Sequence, residues 1–336
     1  MRAIVISRPG GPEVLEIREV PRPVAGPGEI LVRVRAAGLN RADVLQRKGQ
    51  YPAPAGVPAD IPGLEYAGTV AELGPAVPGA ETPAVSAHAP AVGQRVMGLV
   101  AGGAYAEYLV TPAETAIAVP GAWGWAEAAA VPEAFLTAYD ALVRQMRLAA
   151  GESVLIHAVS SGVGTAAVQI AKAWGARTLG TSRSADKLAR AMPLGLDVAI
   201  DTSREDFAEV VRRETDGCGV DVVLDLVGGP ALDGNLRALA TRGRMIVVGL
   251  TAGRSAPLDL GLVLTKRLTI VGTALRSRSP DEKAALTRDF AHEVLPLFAA
   301  GRLRPVLDRT FPMAEVAEAH GVMEASAHFG KLVLVW

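Results

Sequence analysis

The hydrophobic pattern of the chain changes character once, near Trp125. Before it, Arg2–Ser7, Val14–Val20 and Glu29–Ala37 alternate apolar with polar positions or carry β-branched residues, with Gly and Pro between them. Tyr66–Leu73, Arg95–Leu99, Tyr105–Val110 and Thr115–Val119 continue this series of strands, and Arg41–Lys48 is the one short helix. After Trp125, Ala126–Met146 reads as helix apart from Pro132. Six apolar strands then alternate with helices: Val154–Ile156, Arg177–Thr181, Val198–Asp201, Val220–Val227, Arg244–Gly249 and Leu268–Gly272. The helices between them are Val163–Trp174, Ala185–Ala191, Glu205–Thr215, Ala231–Ala240 and Leu260–Leu264. Such alternation predicts a doubly wound parallel sheet whose ligand crevice lies at the carboxyl ends of the strands. Pro280–Ala300 is a helix, and the tail from Val306 adds a helix (Ala314–Met323) and a final strand (Lys331–Val335). The expected organisation is α/β, with a mostly-β domain over 1–124, rejoined by 301–336, and a nucleotide-binding domain over 125–300.

The stretch Ser153–Lys172 is the most informative. A buried-type strand runs into the small residues Ser161-Gly162-Val163-Gly164, and Ala166, Ala167, Ile170, Ala171 and Ala173 follow at helical spacing. Strand, small-residue turn and helix form the setting in which backbone N–H groups and a helix dipole receive a pyrophosphate. A strict G-x-G-x-x-G is absent, and such a turn alone also fits any strand–helix junction. The next strand ends in Ser182-Arg183, with Lys187 one turn on, where an NAD site carries an acidic residue for the ribose. Cations and hydroxyls suit a phosphate, which favours NADPH; ordinary surface charges at a helix start are the alternative.

Composition narrows the classes. The 336 residues suggest about two domains, half are hydrophobic, and the net charge is −1 without blocks of like charge. That disfavours nucleic acid as a partner. No apolar span reaches membrane length and no signal-peptide pattern leads the chain, so a cytoplasmic protein without a membrane partner is expected. The single Cys218 excludes intrachain disulfides and thiolate zinc clusters. Pro75–Val92 is Ala/Pro-rich and reads as a surface loop, with His88 inside it as a solvated histidine.

The chain resembles the medium-chain dehydrogenase/reductases of the zeta-crystallin-like quinone oxidoreductase branch, in the subgroup of the tumour-suppressor-inducible enzyme. The carrying stretches are Ala36-Ala37-Gly38-Leu39-Asn40-Arg41-Ala42-Asp43, Gly49-Gln50-Tyr51-Pro52, Pro62-Gly63-Leu64-Glu65, Leu136-Thr137-Ala138-Tyr139, Ser161 to Ala167, Leu275-Arg276-Ser277-Arg278 and Gly330 to Leu334. The resemblance implies a GroES-like catalytic domain beside a Rossmann domain, with the active site between them. It also implies a zinc-free site: Asn40 stands where zinc relatives have Cys, and Leu64 where they have His. By resemblance Asn40 and Tyr51 are the catalytic pair, while Thr137 and Lys331 lie at the cofactor. Asn40 as a helix cap, Tyr51 as a packed loop aromatic and Lys331 as an edge-strand charge are the structural alternatives. The cofactor set further takes in Ser160 and Val163 in the turn, Gly249 and Leu250 after the fifth strand, and Leu275. Relatives often carry Tyr near Thr202, so the NADPH preference rests on Ser182, Arg183 and Lys187.

The expected activity is zinc-independent, NADPH-dependent reduction of quinones or similar activated carbonyls. Enoyl-thioester reduction and non-enzymatic NADPH binding are the alternatives. The last strand, Leu268–Thr273, is apolar on both faces and is expected to pair with a second copy in a homodimer.

Overall fold

The computed structural model describes residues 1–75 and 90–336; residues 76–89, most of the Ala/Pro-rich stretch and its His88, lie outside the described residues. The chain forms two compact units. The first comprises Met1–Leu136, Leu275–Ala299 and Pro305–Trp336, the second Thr137–Ala274 and Ala300–Arg304.

The first unit is built on the long strand Glu29–Leu39. Its far half pairs antiparallel with the C-terminal strand Lys331–Val335, and its near half with Tyr108–Pro112. Along its other edge runs Glu65–Leu73. Arg95–Leu99, Ala116–Ala118 and Leu307–Pro312 complete a seven-stranded sheet, and Arg2–Ile6 with Leu15–Glu19 forms a separate antiparallel pair. The inward residues Ile30, Val32, Val34, Tyr66, Val70, Val96, Leu332 and Leu334 form one buried cluster. Gly38 has a steric reason to be glycine: a Cβ there would lie 2.2 Å from Glu65 Oε1 and 2.6 Å from the Ala129 carbonyl oxygen. Sheet, helix and a buried carboxylate meet at that point.

The second unit is a six-stranded parallel sheet in the order Val198–Asp201, Arg177–Ser182, Ser153–Ile156, Val220–Asp225, Leu239–Val247, Thr269–Gly272. In order of appearance this is 3-2-1-4-5-6, the dinucleotide-type arrangement, and the order reverses beside Ser153–Ile156. The α/β fold, with a GroES-like unit and a Rossmann sheet, is as the sequence implies. Leu155, Leu179, Ile200, Val211, Val223 and Met245 share its core. Among the described residues no helix is long and apolar enough to cross a membrane.

Local differences from the sequence reading have physical causes. The helix expected over Ala231–Ala240 ends at Ala238, because Leu239 pairs with Val220 and starts the fifth strand early, ahead of a register shift. The helix Pro280–Ala300 is two helices, Pro280–Glu293 and Leu295–Ala299. Pro296 lacks an N–H and sits at the second position of the new helix, where none is needed. Ala126–Met146 divides into Trp125–Ala129, Pro132–Tyr139 and a π-helical turn, Asp140–Gln145. The compact units divide near 136 and 274, where the pattern placed boundaries at 124 and 300. Fully buried Ala128 and Ala129 seat the first of these helices in the first unit, and Phe298 packs edge-on against Trp123 and Phe135 at 5.1 and 4.8 Å.

Gly38→Ala is expected to lower unfolding free energy by about 1–3 kcal/mol through overpacking. Gly121→Ala, with open space around its Cβ, is expected to be close to neutral. Urea denaturation of both variants checks this.

Candidate functional site

In the first unit, three element starts converge beside Gly38. Asn40 leaves the long strand in an extended conformation and begins the helix Arg41–Arg47. Glu65 opens its strand opposite Gly38, and Lys331 opens the C-terminal strand. The Lys331 ammonium donates to Glu65 Oε1 (2.5 Å), Asn40 Oδ1 (2.6 Å) and the Leu39 carbonyl (3.0 Å). Asn40 Nδ2 donates to Glu65 Oε1 at 2.9 Å, and its other contact, to the Gly38 carbonyl, is long at 3.4 Å. Glu65 Oε2 accepts the backbone N–H of Glu133 at 2.8 Å. Lys331 and Glu65 are buried. Removing one partner of such a pair typically costs about 3–5 kcal/mol, because a charge is left uncompensated.

Asp43 supports this group from below. Its Oδ2 accepts from the Asn40 amide (2.8 Å) and the Tyr105 hydroxyl (3.1 Å), and its Oδ1 from the Gly63 amide (3.1 Å). Burial outweighs these bonds and lifts its carboxyl to about 6. The helix cap foreseen for Asn40 is therefore real, but its backbone makes it; the side chain faces Lys331 and Glu65.

Tyr51 is half-buried, and burial pushes its phenol up. The Arg276 guanidinium lies 5.0 Å from its ring centroid. Arg276 donates to the Ala101 carbonyl (2.7 Å), the Tyr51 carbonyl (3.1 Å) and Gln46 Oε1 (2.5 Å), and accepts from Lys283 Nζ at its own carbonyl (2.9 Å). Glu133 opens the helix Pro132–Tyr139 nearby. Its carboxyl is pushed up to about 8, by burial first and the charge of Glu65 next.

The second unit holds most of the expected cofactor residues at the carboxyl edge of its sheet. The helix Gly162–Ala173 follows the turn, and Ser161 Oγ caps it by accepting from the Gly164 amide at 3.0 Å. A Cβ on Gly164 would lie 2.2 Å from the Ala158 carbonyl oxygen, so only glycine lets the helix approach this closely. The amides of Gly162 and Val163 precede the helix's own bonding and are left for a ligand. Ser160 lies in the same turn. Ser182 ends the second strand, Ser184 caps the next helix by accepting from the Lys187 amide, and Arg183 is exposed. Thr202 sits beside Ser182, its amide donating to the Ser182 carbonyl at 3.0 Å. Gly249 and Leu250 follow the fifth strand, and the Gly249 amide donates to the Asp225 carbonyl at 3.2 Å. The Thr137 hydroxyl is buried without a hydrogen-bond partner.

Beneath this edge runs a buried chain that sequence reasoning missed. Thr181 Oγ1 donates to His157 Nδ1 (2.8 Å), and His157 Nε2–H donates to Asn235 Oδ1 (2.7 Å). Asn235 Nδ2 donates to Asp225 Oδ2 (3.2 Å), and Asp225 Oδ1 accepts the amides of Val227 and Gly228. Burial lowers the His157 pKa, so the ring is neutral. His157 lies between apolar neighbours in sequence, and its partners are 24 and 78 residues away.

The structure brings Asn40 and Lys331 together and places Tyr51 against Arg276. Leu275 is buried in the first unit and Thr137 belongs to the second. Resemblance puts Lys331 beside the cofactor; here all three of its N–H groups are taken by Leu39, Asn40 and Glu65. Glu65 and Arg276 lay inside recognised motifs without a role. Asp43 likewise closed a recognised motif without a role, and Glu133 was detectable only as a carboxylate in an apolar helix. Among the described residues no three His, Cys, Asp or Glu side chains gather in a metal-holding group.

Comparison with known proteins agrees with this architecture. Residues 26–121 match the alcohol dehydrogenase GroES-like domain and residues 162–291 the zinc-binding dehydrogenase domain. Phthioceranic/hydroxyphthioceranic acid synthase of Mycobacterium tuberculosis is 36% identical over 98% of this chain. The chain spans only 15% of that relative's length. A quinone oxidoreductase of Pseudomonas syringae is 32% identical, with a TM-score of 0.86 over 100% of this chain and 99% of that one. A mycobacterial protein solved with NADPH is 31% identical, with a TM-score of 0.87 over all of both chains. The CurK enoyl reductase is 29% identical, with a TM-score of 0.85 over 99% of this chain and 98% of that one. A GroES-like unit, a 3-2-1-4-5-6 nucleotide-type sheet and full-length relatives above 30% identity make this chain a member of the medium-chain dehydrogenase/reductase family of oxidoreductases.

Proposed function

We propose that the protein is a zinc-free, NADPH-dependent reductase of quinones or similar activated carbonyl compounds, in the zeta-crystallin-like branch of its family. Lys331 carries the reading. Its ammonium already holds the space between Asn40 and Glu65, so a zinc ion there meets a resident positive charge. Leu64, buried hydrocarbon, offers no ligand atom. Oxidising an alcohol requires removal of its hydroxyl proton, which a metal normally assists. An electrophilic acceptor needs only alignment and donors for the oxyanion that forms.

The residues suit NADPH. Gly162 and Val163 amides and the Ser161 cap receive the pyrophosphate, Ser182, Arg183 and Lys187 the additional phosphate, and the unpartnered Thr137 hydroxyl meets a buried polar group. Ser160, Gly249, Leu250 and Leu275 complete the set. When bound, the cofactor supplies the hydride. Asn40, held in orientation by Lys331 and Glu65, offers its weakly bonded N–H to the acceptor oxygen. Tyr51 offers a hydroxyl that makes no hydrogen bond among the described residues. Likeness to phthioceranic/hydroxyphthioceranic acid synthase and to the CurK enoyl reductase supports a second reading, reduction of an α,β-unsaturated thioester on the same site.

Quinone reduction with NADPH is expected to persist after chelation, with simple alcohol oxidation negligible. Asn40→Ala and Tyr51→Phe are expected to lower turnover at least about tenfold, as loss of an oxyanion donor does, while NADPH affinity changes little. Wild-type turnover in both variants overturns this assignment, and an enoyl-thioester in the acceptor panel separates the two readings.

Charged contacts to the phosphate contribute on the order of 1.5–3 kcal/mol each. Arg183→Ala and Lys187→Ala are therefore expected to raise KM for NADPH roughly tenfold or more and to leave NADH unchanged; steady-state kinetics with both cofactors checks this.

The strand Thr269–Gly272 ends the sheet, and Ile270, Leu260 and Leu264 are exposed beside it. An unpaired strand edge next to apolar side chains supports a homodimer through this edge. Sedimentation at micromolar concentration is expected to give twice the mass of the chain, and Ile270→Lys a monomer.

A further inference from the structure

We propose that Glu133 is the proton donor of the reaction, delivering its carboxyl proton to the oxyanion left when hydride has added to the acceptor. The inference rests on the reductase reading above and adds to it the source of the proton.

Glu133 differs from the other charged groups in its surroundings. Glu65 accepts from Lys331, Asn40 and the Glu133 amide. Asp43 accepts from three donors, Arg276 is held by three acceptors, and Lys283 donates to the Arg276 carbonyl. The Glu133 backbone is fixed on Glu65, yet its carboxyl makes no hydrogen bond among the described residues. The residue as a whole is half-buried, but its carboxyl is enclosed, and burial is the first cause of its raised pKa.

The charged groups that act on it come from several elements of the first unit. Glu65 and Asp43 raise its pKa, Lys331 and Lys283 lower it, and Tyr51 and Arg276 sense its charge. Its place in the first turn of a helix favours the carboxylate. Burial and Glu65 nevertheless prevail and hold it near 8, so the carboxyl carries a proton at neutral pH without an internal acceptor.

The balance is simple. The dihydronicotinamide loses a hydride and is oxidised; the acceptor gains the two electrons and is reduced, its carbonyl oxygen becoming an oxyanion. The O–H bond of Glu133 breaks as the new O–H bond forms. A phenolate-like oxygen, whose conjugate acid titrates near about 10, takes a proton downhill from this carboxyl. The resulting carboxylate faces Lys283, Lys331 and Arg276 and is reprotonated by water.

The first test needs no cofactor. In carboxyl-labelled protein followed by ¹³C NMR, one glutamate is expected to titrate near pH 8, and Glu133→Gln to remove that signal. Because the folded pKa is raised, the carboxyl's contribution to stability is fully present below about 4.5 and is lost as pH rises through 8. The melting temperature of the wild type is therefore expected to fall relative to Glu133→Gln over that interval.

With NADPH and a quinone, wild-type turnover is expected to decline above about pH 8. Glu133→Gln is expected to be roughly 100-fold slower, within the range for loss of a general acid, with that inflection gone and KM for NADPH within about twofold. Glu133→Asp, which keeps a carboxyl, is expected to retain the inflection at reduced turnover. Wild-type turnover and an unchanged pH profile in Glu133→Gln overturn the proton-donor role alone. Failure of the wild type to reduce any acceptor overturns the functional reading on which it rests, whatever the NMR titration shows.

Discussion

The first unit depends on one buried ion pair. Lys331 comes from the last strand, Glu65 from the strand across the sheet and Asn40 from the end of the strand between them. Their meeting ties the C-terminus to the N-terminal sheet and fixes the amide of Asn40. Two buried charges are costly in low dielectric unless every lone pair and N–H is answered. Here Lys331 has three acceptors, and Glu65 has donors on both oxygens. Gly38 makes the arrangement possible, because any Cβ would stand where the Glu65 carboxylate lies.

The second unit solves a different problem, presenting backbone amides at one edge of a parallel sheet. The turn after the first strand does this locally, through the Ser161 cap and the close packing allowed by Gly164. The next crossover needs help from a distance. Asp225 holds the loop after the fourth strand by two amides, and Asn235, His157 and Thr181 connect it to the first two strands. A neutral histidine fits between them, because it donates at one nitrogen and accepts at the other, and burial keeps it uncharged.

The proposed chemistry follows from what these charges leave free. Most ionisable groups around Asn40 and Tyr51 are taken up, Lys331 and Glu65 by each other and Asp43, Arg276 and Lys283 by neutral hydrogen-bond partners. What remains available is an amide N–H, a phenol and a carboxylic acid, a donor set suited to an acceptor that gains negative charge.

The sequence alone determined the two-part α/β architecture, because period-2 patterning gives way to β–α alternation at a single point and strand-to-helix turns follow from local small residues. It also marked the Ser161–Gly164 turn as a small-residue strand–helix junction, while Asn40, Tyr51 and Lys331 were singled out by resemblance to the family. Helix ends were less legible: Leu239 satisfies either a helix or a strand, and pairing with Val220 decided it. The partners of the marked residues were decided only by tertiary structure. Lys331 meets Glu65 across 266 residues and Arg276 meets Gln46 across 230, and no local pattern records such pairings. The proton on Glu133 is likewise invisible in sequence, since a helix start ordinarily favours a carboxylate; only burial beside Glu65 reverses that preference.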